Sequence, residues 1–247
     1  MMRVFDGLGH LSDAAAEYIA CCAEDAAKER GEFHWLLSGG GTPRTTYRLL
    51  AGNPYGERPF WRRTHFYWAD ERCVPPESDQ SNYRLAKESL LDLIATPDAH
   101  IHRMPADAPD KDAAAAVYEA VLPERPDLIL LGIGADGHTA SLFPNSPALH
   151  ETQRRVVPVE APVEPRCRLT VTPPVLRSAG KVLVLVEGES KAEALARVFQ
   201  LSGDVRDTPA RLVHDATWFV DRAAARLVLK MSLGQIDQVH ASRQQTG

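Results

Sequence analysis

The sequence predicts one α/β domain spanning residues 1–247, built on a mostly parallel sheet with helices on both faces. Three observations predict it. Several candidate strands are near-continuous apolar runs, among them "HWLLS" (34–38), "DLILLGIG" (127–134) and "KVLVLVEG" (181–188), as strands buried on both faces require. Helix-patterned segments separate most of these runs, as parallel crossovers demand. No low-complexity linker, composition shift or internal repeat divides the 247 residues.

Each element has its own signal. From Ser12 to Arg30, Ala15, Ile19, Cys22 and Ala26 share one helical face, Ser12 is placed to cap and Gly31 to stop the helix. The strand at 34–38 runs into glycines, after which Thr42-Pro43 opens a helix that ends near Ala51, with threonine as N-cap and proline at the first helical position. "HFYWAD" (65–70) is an aromatic-rich strand, and a loop with Pro75-Pro76 leads to a helix from about Asn82 to Ile94. "DAAAAVYEAVL" (112–122) is a further helix before the strand at 127–134. "RRVVPVE" (154–160), "RLTVT" (168–172) and the strand at 181–188 follow. Ser190 and Glu193 have capping-box spacing for a helix over 191–201. "TWFVD" (217–221) and "AARLVL" (224–229) close the ordered part, and the tail "SRQQTG" is expected to fray.

Composition narrows the function classes. A net charge of −5 disfavours a nucleic-acid or anionic-membrane surface, so an anionic ligand would need a local positive pocket. The four cysteines, Cys21, Cys22, Cys73 and Cys167, form no C-x-x-C pair and are too few for a disulfide framework, which favours a reducing compartment. The N-terminus lacks the apolar core of a signal peptide, and no apolar run approaches the ~20 residues of a membrane span. A cytoplasmic monomer is expected.

"LILLGIGADGHTASLFPNSP" (128–147) contains a G-x-G-x-x-G at Gly132, Gly134 and Gly137 after a strand, with Glu160 at about the offset expected of a ribose ligand. Three features oppose a dinucleotide site. Pro144 and Pro147 cut short the helix that should face a pyrophosphate, the loop lies mid-chain, and Asp136 would meet the phosphates. The other reading uses Asp136 and His138, which stand at a strand's carboxyl end, where open parallel sheets bind ligands. A histidine titrates near neutrality and can take a proton from water and later return it. The bland alternative is a loop histidine without chemistry.

Other strand ends supply partners. "LSGGGTPRTTYRLL" (37–50) is not a Walker A loop, but Ser38, the amides of Gly39 and Gly40, and Thr42 at a helix N-terminus suit a phosphate or sugar hydroxyls. Asp70, Glu71 and Arg72 cluster where a buried strand stops, and Arg72 can fork an anion or stabilise an oxyanion. Asn82 serves equally as a site residue or a helix cap. Arg168 begins a short strand, and Lys191 sits in a helix first turn, which is unfavourable unless an anion is near. His100-x-His102 lacks convincing metal partners, Ser141 lacks a G-x-S-x-G elbow, and Cys73 reads as a bystander.

The stretches "LSGGGTP", "WADERCVPPESDQSNYR", "LLGIGADGHTASLFP", "RLTVTPPVL" and "LVEGESKAEAL" together resemble the 6-phosphogluconolactonase family, in its order and over most of the chain. Gly41 stands where that family often has serine. The related glucosamine-6-phosphate deaminases share the G-x-G-x-D-G-H core but continue with a glutamate-bearing "IAFNEP" and carry "DEY" where this chain has "DER". Residues 139–144 hold no such glutamate. The resemblance implies a three-layer α/β/α, modified Rossmann-like domain with no cofactor and no metal. It implies hydrolysis of 6-phospho-D-glucono-1,5-lactone to 6-phospho-D-gluconate in the oxidative pentose phosphate pathway. His138 is expected as general base, with Asp136 orienting it or holding a hydroxyl. Arg72, Arg168 and Lys191 are expected as substrate cations, with Ser38, Gly39, Gly40, Thr42 and Asp70 around the ligand.

Overall fold

A computed structural model of the chain describes residues 1–231. The strands are β1 (Met2–Phe5), β2 (Phe33–Leu37), β3 (Thr64–Trp68), β4 (Asp70–Arg72), β5 (Leu128–Leu131), β6 (Val156–Glu160), β7 (Cys167–Val171), β8 (Lys181–Val186) and β9 (Thr217–Asp221). The α-helices with named bounds are α1 (Leu8–Arg30), α2 (Gly41–Ala51), α3 (Asn82–Ser89), α4 (Lys111–Val121), α5 (Pro173–Ser178) and α6 (Ala192–Phe199).

Six strands form a sheet in the order β1-β9-β8-β5-β2-β3, parallel at every pairing. β5 is buried throughout and β8 from Leu183 on, as their apolar runs require, and Trp35, Trp61, Trp68 and Trp218 are fully buried around the sheet. From β2 the chain steps outward to β3. From β5 it steps the other way, through β8 to β9. The reversal between β2 and β5 is a topological switch point, where parallel sheets open a crevice at their carboxyl ends.

A second, antiparallel sheet, β4-β7-β6, was not anticipated. "HFYWAD" is consequently two strands. Ala69 joins them: its N–H donates to the Leu37 carbonyl at 2.9 Å, and its own carbonyl accepts from Val171 at 2.8 Å. A single residue thus ends one sheet and starts the other.

The helix caps differ from the sequence reading. Helix α1 starts a turn early, after Gly7, which buries Leu11; Ser12 is then inside the helix, buried, with its hydroxyl unpartnered. Gly31 stops it in the left-handed region, as expected. Gly40 rather than Thr42 caps α2, so Thr42 lies within the first turn. Ser81, not Asn82, caps α3, accepting from Arg84 N at 3.1 Å, and α3 ends at Ser89. The proposed Ser190 capping box does not form: Glu189–Lys191 is a 3-10 turn and no side chain caps α6. Residues 222–231 are helical, which places "AARLVL" in a helix packed by Ala224 and Ala225. The tail expected to fray lies outside the described residues.

Candidate active site

A cavity of about 290 Å³ opens at the carboxyl ends of the central strands, walled by Ser38, Gly39, Gly40, Asp70, Arg72, Asn82, Gly132, Ile133, Gly134, His138, Ala140 and Lys191. Residues from four separate strand ends meet there.

The loop after β5 carries the histidine. Its turn is closed by Gly134 N–H to the His138 carbonyl at 2.8 Å, Gly137 N–H to the Gly134 carbonyl at 3.0 Å, and the Thr139 hydroxyl to the Gly132 carbonyl at 2.9 Å. Inside the turn, His138 Nδ1 lies 2.7 Å from Asp136 Oδ1, which also accepts the His138 backbone N–H at 3.1 Å. Burial pushes the Asp136 carboxyl up, but the hydrogen bond and charge of His138 more than offset it and hold Asp136 below its ordinary value. An ionised Asp136 takes the proton on Nδ1, so Nε2 is left with its lone pair. The ring packs on Phe143, with centroids 4.6 Å apart.

The glycines now have a reason. A Cβ on Gly134 would lie 2.1 Å from His138 Nδ1 and 2.5 Å from Asp136 Oδ1. Gly137 holds φ +96°, the left-handed region, and faces Thr208. The pattern serves the imidazole and its carboxylate.

The β2 end is set by Tyr47, whose hydroxyl accepts from Ser38 N at 3.0 Å and donates to the Ser38 carbonyl at 2.8 Å. Gly39 and Gly40 then pass along the cavity wall into the N-terminus of α2, where free amides favour an anion. Thr42 does not line the cavity: it is the second residue of α2, and its carbonyl accepts from the Thr46 hydroxyl.

The β4 residues divide their work. Glu71 turns inward and accepts from Arg72 N, Asn82 N, Tyr83 N and the Ser81 hydroxyl, so one carboxylate caps α3 and pins the loop. Burial drives its pKa up against those hydrogen bonds. Asp70 is buried and engaged: Oδ2 accepts from the Ser141 hydroxyl at 2.6 Å, and Oδ1 from Asn82 Nδ2 at 3.3 Å. It ties the histidine loop to α3. Asn82 Nδ2 also donates to the Asp70 carbonyl, and its Oδ1 backs onto Gly39, where a Cβ would lie 1.8 Å away. Sequence reading ranked Asn82 below its structural place, and it missed the Ser141–Asp70 contact, which spans 71 residues and leaves no local signal.

The cations separate. Arg72 lines the cavity and donates to the Gln80 carbonyl at 2.5 Å. Lys191, placed by the turn after β8, also lines it, and its ammonium group has no ion-pair or hydrogen-bond partner among the described residues. Arg168 stands opposite Arg72 in the β4–β7 register but is buried and not on the cavity wall. Burial and the neighbouring Arg72 charge lower its pKa, and Asp70 and Glu71 oppose this. The Nε atoms of both arginines are buried without a partner. Asp136 itself faces a neighbouring groove of about 890 Å³, lined by Phe143, Val157, Val159 and several prolines with Glu151, Glu160 and Arg166, and with no histidine on its wall. The smaller cavity joins the imidazole to the cations.

Known proteins match the chain over most of its length. The model of a family described as glucosamine-6-phosphate isomerases/6-phosphogluconolactonase matches residues 8–220. The chain is 38% identical over 212 residues to 6-phosphogluconolactonase of Synechocystis, covering 81% of this chain and 86% of the relative. It is 37% identical over 247 residues to probable 6-phosphogluconolactonase 1 of Arabidopsis thaliana, covering 90% and 91%. Among solved structures, 6-phosphogluconolactonase from Trypanosoma brucei superposes with a TM-score of 0.82 at 28% identity, over 92% of this chain and 97% of that one. A monomeric glucosamine-6-phosphate deaminase, 24% identical with a TM-score of 0.76 over 92% and 99%, shares the fold.

Proposed function

The chain belongs to the glucosamine-6-phosphate isomerase/6-phosphogluconolactonase family, and we propose that it acts there as a hydrolase of 6-phospho-D-glucono-1,5-lactone, yielding 6-phospho-D-gluconate in the oxidative pentose phosphate pathway. The observation that carries this reading is His138, held by Asp136, on a cavity wall shared with Arg72 and Lys191. The deaminase alternative is disfavoured because residues 139–144 carry no carboxylate and Arg72 stands in place of tyrosine.

His138, Arg72 and Lys191 supply the groups this reaction needs. Nε2 of His138 takes a proton from water, which attacks the C1 carbonyl. Arg72 or the loop amides stabilise the tetrahedral oxyanion. The C1–ring-oxygen bond breaks, and the histidinium returns its proton to the departing ring oxygen. Asp136 keeps Nδ1–H fixed and offsets the charge that the ring acquires. Lys191 and the Gly39–Gly40 amides hold the phosphate, whose binding energy positions a carbon remote from it. The demands are modest, since δ-lactones open in water unaided. A general base contributes roughly 10²–10⁴ and one oxyanion donor about 10²–10³.

A pH-stat assay on freshly made lactone tests the assignment. Acid release with no ammonia from glucosamine 6-phosphate supports it. Ammonia release would make the chain a deaminase, and binding without turnover of either would make it a sensor.

A further inference from the structure

Cys73 and Cys167 stand 94 residues apart in the chain, yet the β4–β7 register brings them together. That antiparallel ladder runs Asp70↔Thr170, Glu71↔Leu169, Arg72↔Arg168. The next rung is Cys73 with Cys167, and the Cys73 N–H donates to the Cys167 carbonyl at 3.0 Å. Both side chains leave the sheet on the same face, opposite to Arg72 and Arg168, and their sulfurs are in contact at 2.6 Å. Both thiols are half-buried, so a small oxidant can reach them, and neither touches the cavity wall. Directly opposed antiparallel positions with side chains on one face meet the reach a disulfide needs without backbone movement.

We infer that Cys73 and Cys167 form an oxidative modification site, a dithiol that closes to a reversible disulfide and staples β4 to β7. The oxidant is of the peroxide class. The Cys167 sulfur attacks a peroxide oxygen, the O–O bond breaks, and Cys167 becomes a sulfenic acid as one water leaves. The Cys73 sulfur then attacks the sulfenic sulfur. The S–S bond forms, the S–O bond breaks, and the leaving hydroxide takes the Cys73 proton as a second water. Two thiols lose two electrons and one peroxide becomes two waters. Burial, followed by the adjacent Cys167, pushes the Cys73 thiol up to about 12, so Cys73 is written as the second, resolving sulfur. In a reducing compartment such pairs are transient rather than structural. The rung beside the pair is Arg72↔Arg168, two like charges that push the strands apart, so the staple fixes the register of the guanidinium pair.

The test needs no substrate and stands apart from the lactonase assignment. The purified full chain is treated with hydrogen peroxide, alkylated and digested with trypsin without reduction. Cleavage at Arg72, Arg84, Arg166 and Arg168 isolates residues 73–84 and 167–168. The expected result is one cross-linked species of these two peptides, lighter by two hydrogens and split by dithiothreitol. The thermal midpoint rises by several degrees on oxidation and falls back on reduction. Both effects vanish in Cys73→Ser and in Cys167→Ser, either of which suffices if the other folds poorly, and Cys21 remains alkylatable as internal control. Recovery of 73–84 unlinked at every oxidant level, cross-links only between chains, or a midpoint that oxidation leaves unchanged would overturn the inference.

Discussion

His138 Nδ1 lies 2.7 Å from Oδ1 of Asp136, so the imidazole is tethered inside its own loop by a residue two positions earlier. The contact decides which nitrogen carries the proton and which faces chemistry. With Asp136→Asn the amide can present its N–H to the ring and select the wrong tautomer. Turnover is expected to fall at least about tenfold with KM changed little. Steady-state kinetics of the purified variant check this, and a rise in KM at unchanged kcat would assign Asp136 to substrate binding instead.

Two glycines of one motif should behave oppositely. Gly134→Ala drives a methyl to within 2.1 Å of His138 Nδ1 and is expected to lower turnover about 10²-fold while the fold survives. Gly132→Ala meets nothing nearer than the Leu185 carbonyl at 3.8 Å and should keep most activity. A dinucleotide loop would need the first glycine as well, so equal losses would count against the present account of the motif.

The Lys191 ammonium group has no partner among the described residues and lies on the cavity wall. Lys191→Ala should raise KM for the 6-phosphorylated lactone at least about tenfold, the loss of one charge-assisted contact, and leave KM for unphosphorylated gluconolactone unchanged. Competition by inorganic phosphate would weaken in parallel. Equal effects on both lactones would remove Lys191 from the phosphate site.

At the opposite, amino ends of β2 and β3 four imidazoles crowd together. His65 stacks on His100 with centroids 3.9 Å apart and on His34 at 5.1 Å, and its Nδ1 is 3.1 Å from His102 Nε2. Burial first, and then the neighbouring imidazoles, hold His65 down to about 4 from 6.5, with Glu32 opposing. His102 is lowered for the same reasons. A folded-state pKa below the unfolded one means the unfolded chain takes up protons first as pH drops. Stability should therefore fall from about pH 6.5 towards about pH 4 and not further for this group. Urea midpoints at pH 7 and pH 5 should differ less in His65→Phe than in the wild type. The same difference in both would dismiss the cluster as the cause.

Much of this was legible in the sequence because it is local. The apolar runs mark buried parallel strands, and the motif residues after β2, β3, β5 and β8 are adjacent in the chain to the strands that position them. His138, Asp136, Ser38, Gly39, Gly40, Asp70, Arg72 and Lys191 are accordingly found at strand ends. What escaped depends on contacts across the chain. The second sheet begins at Ala69, which carries no turn residue to announce it. Arg168 pairs with Arg72 across that sheet and is buried there. Asp70 lines the cavity while its carboxylate also accepts from Ser141 and Asn82, contacts with no local signal. Helix starts were misplaced where glycines, not hydroxyl side chains, occupy the cap.

The most direct measurement is proton release during turnover of freshly prepared 6-phosphogluconolactone, compared between the wild type and His138→Ala, with product binding followed by calorimetry. The expected result is turnover reduced at least about 10²-fold while 6-phosphogluconate binds within about threefold of the wild-type affinity. Turnover near the wild-type rate in that variant would contradict the assignment of His138 as the group that activates water.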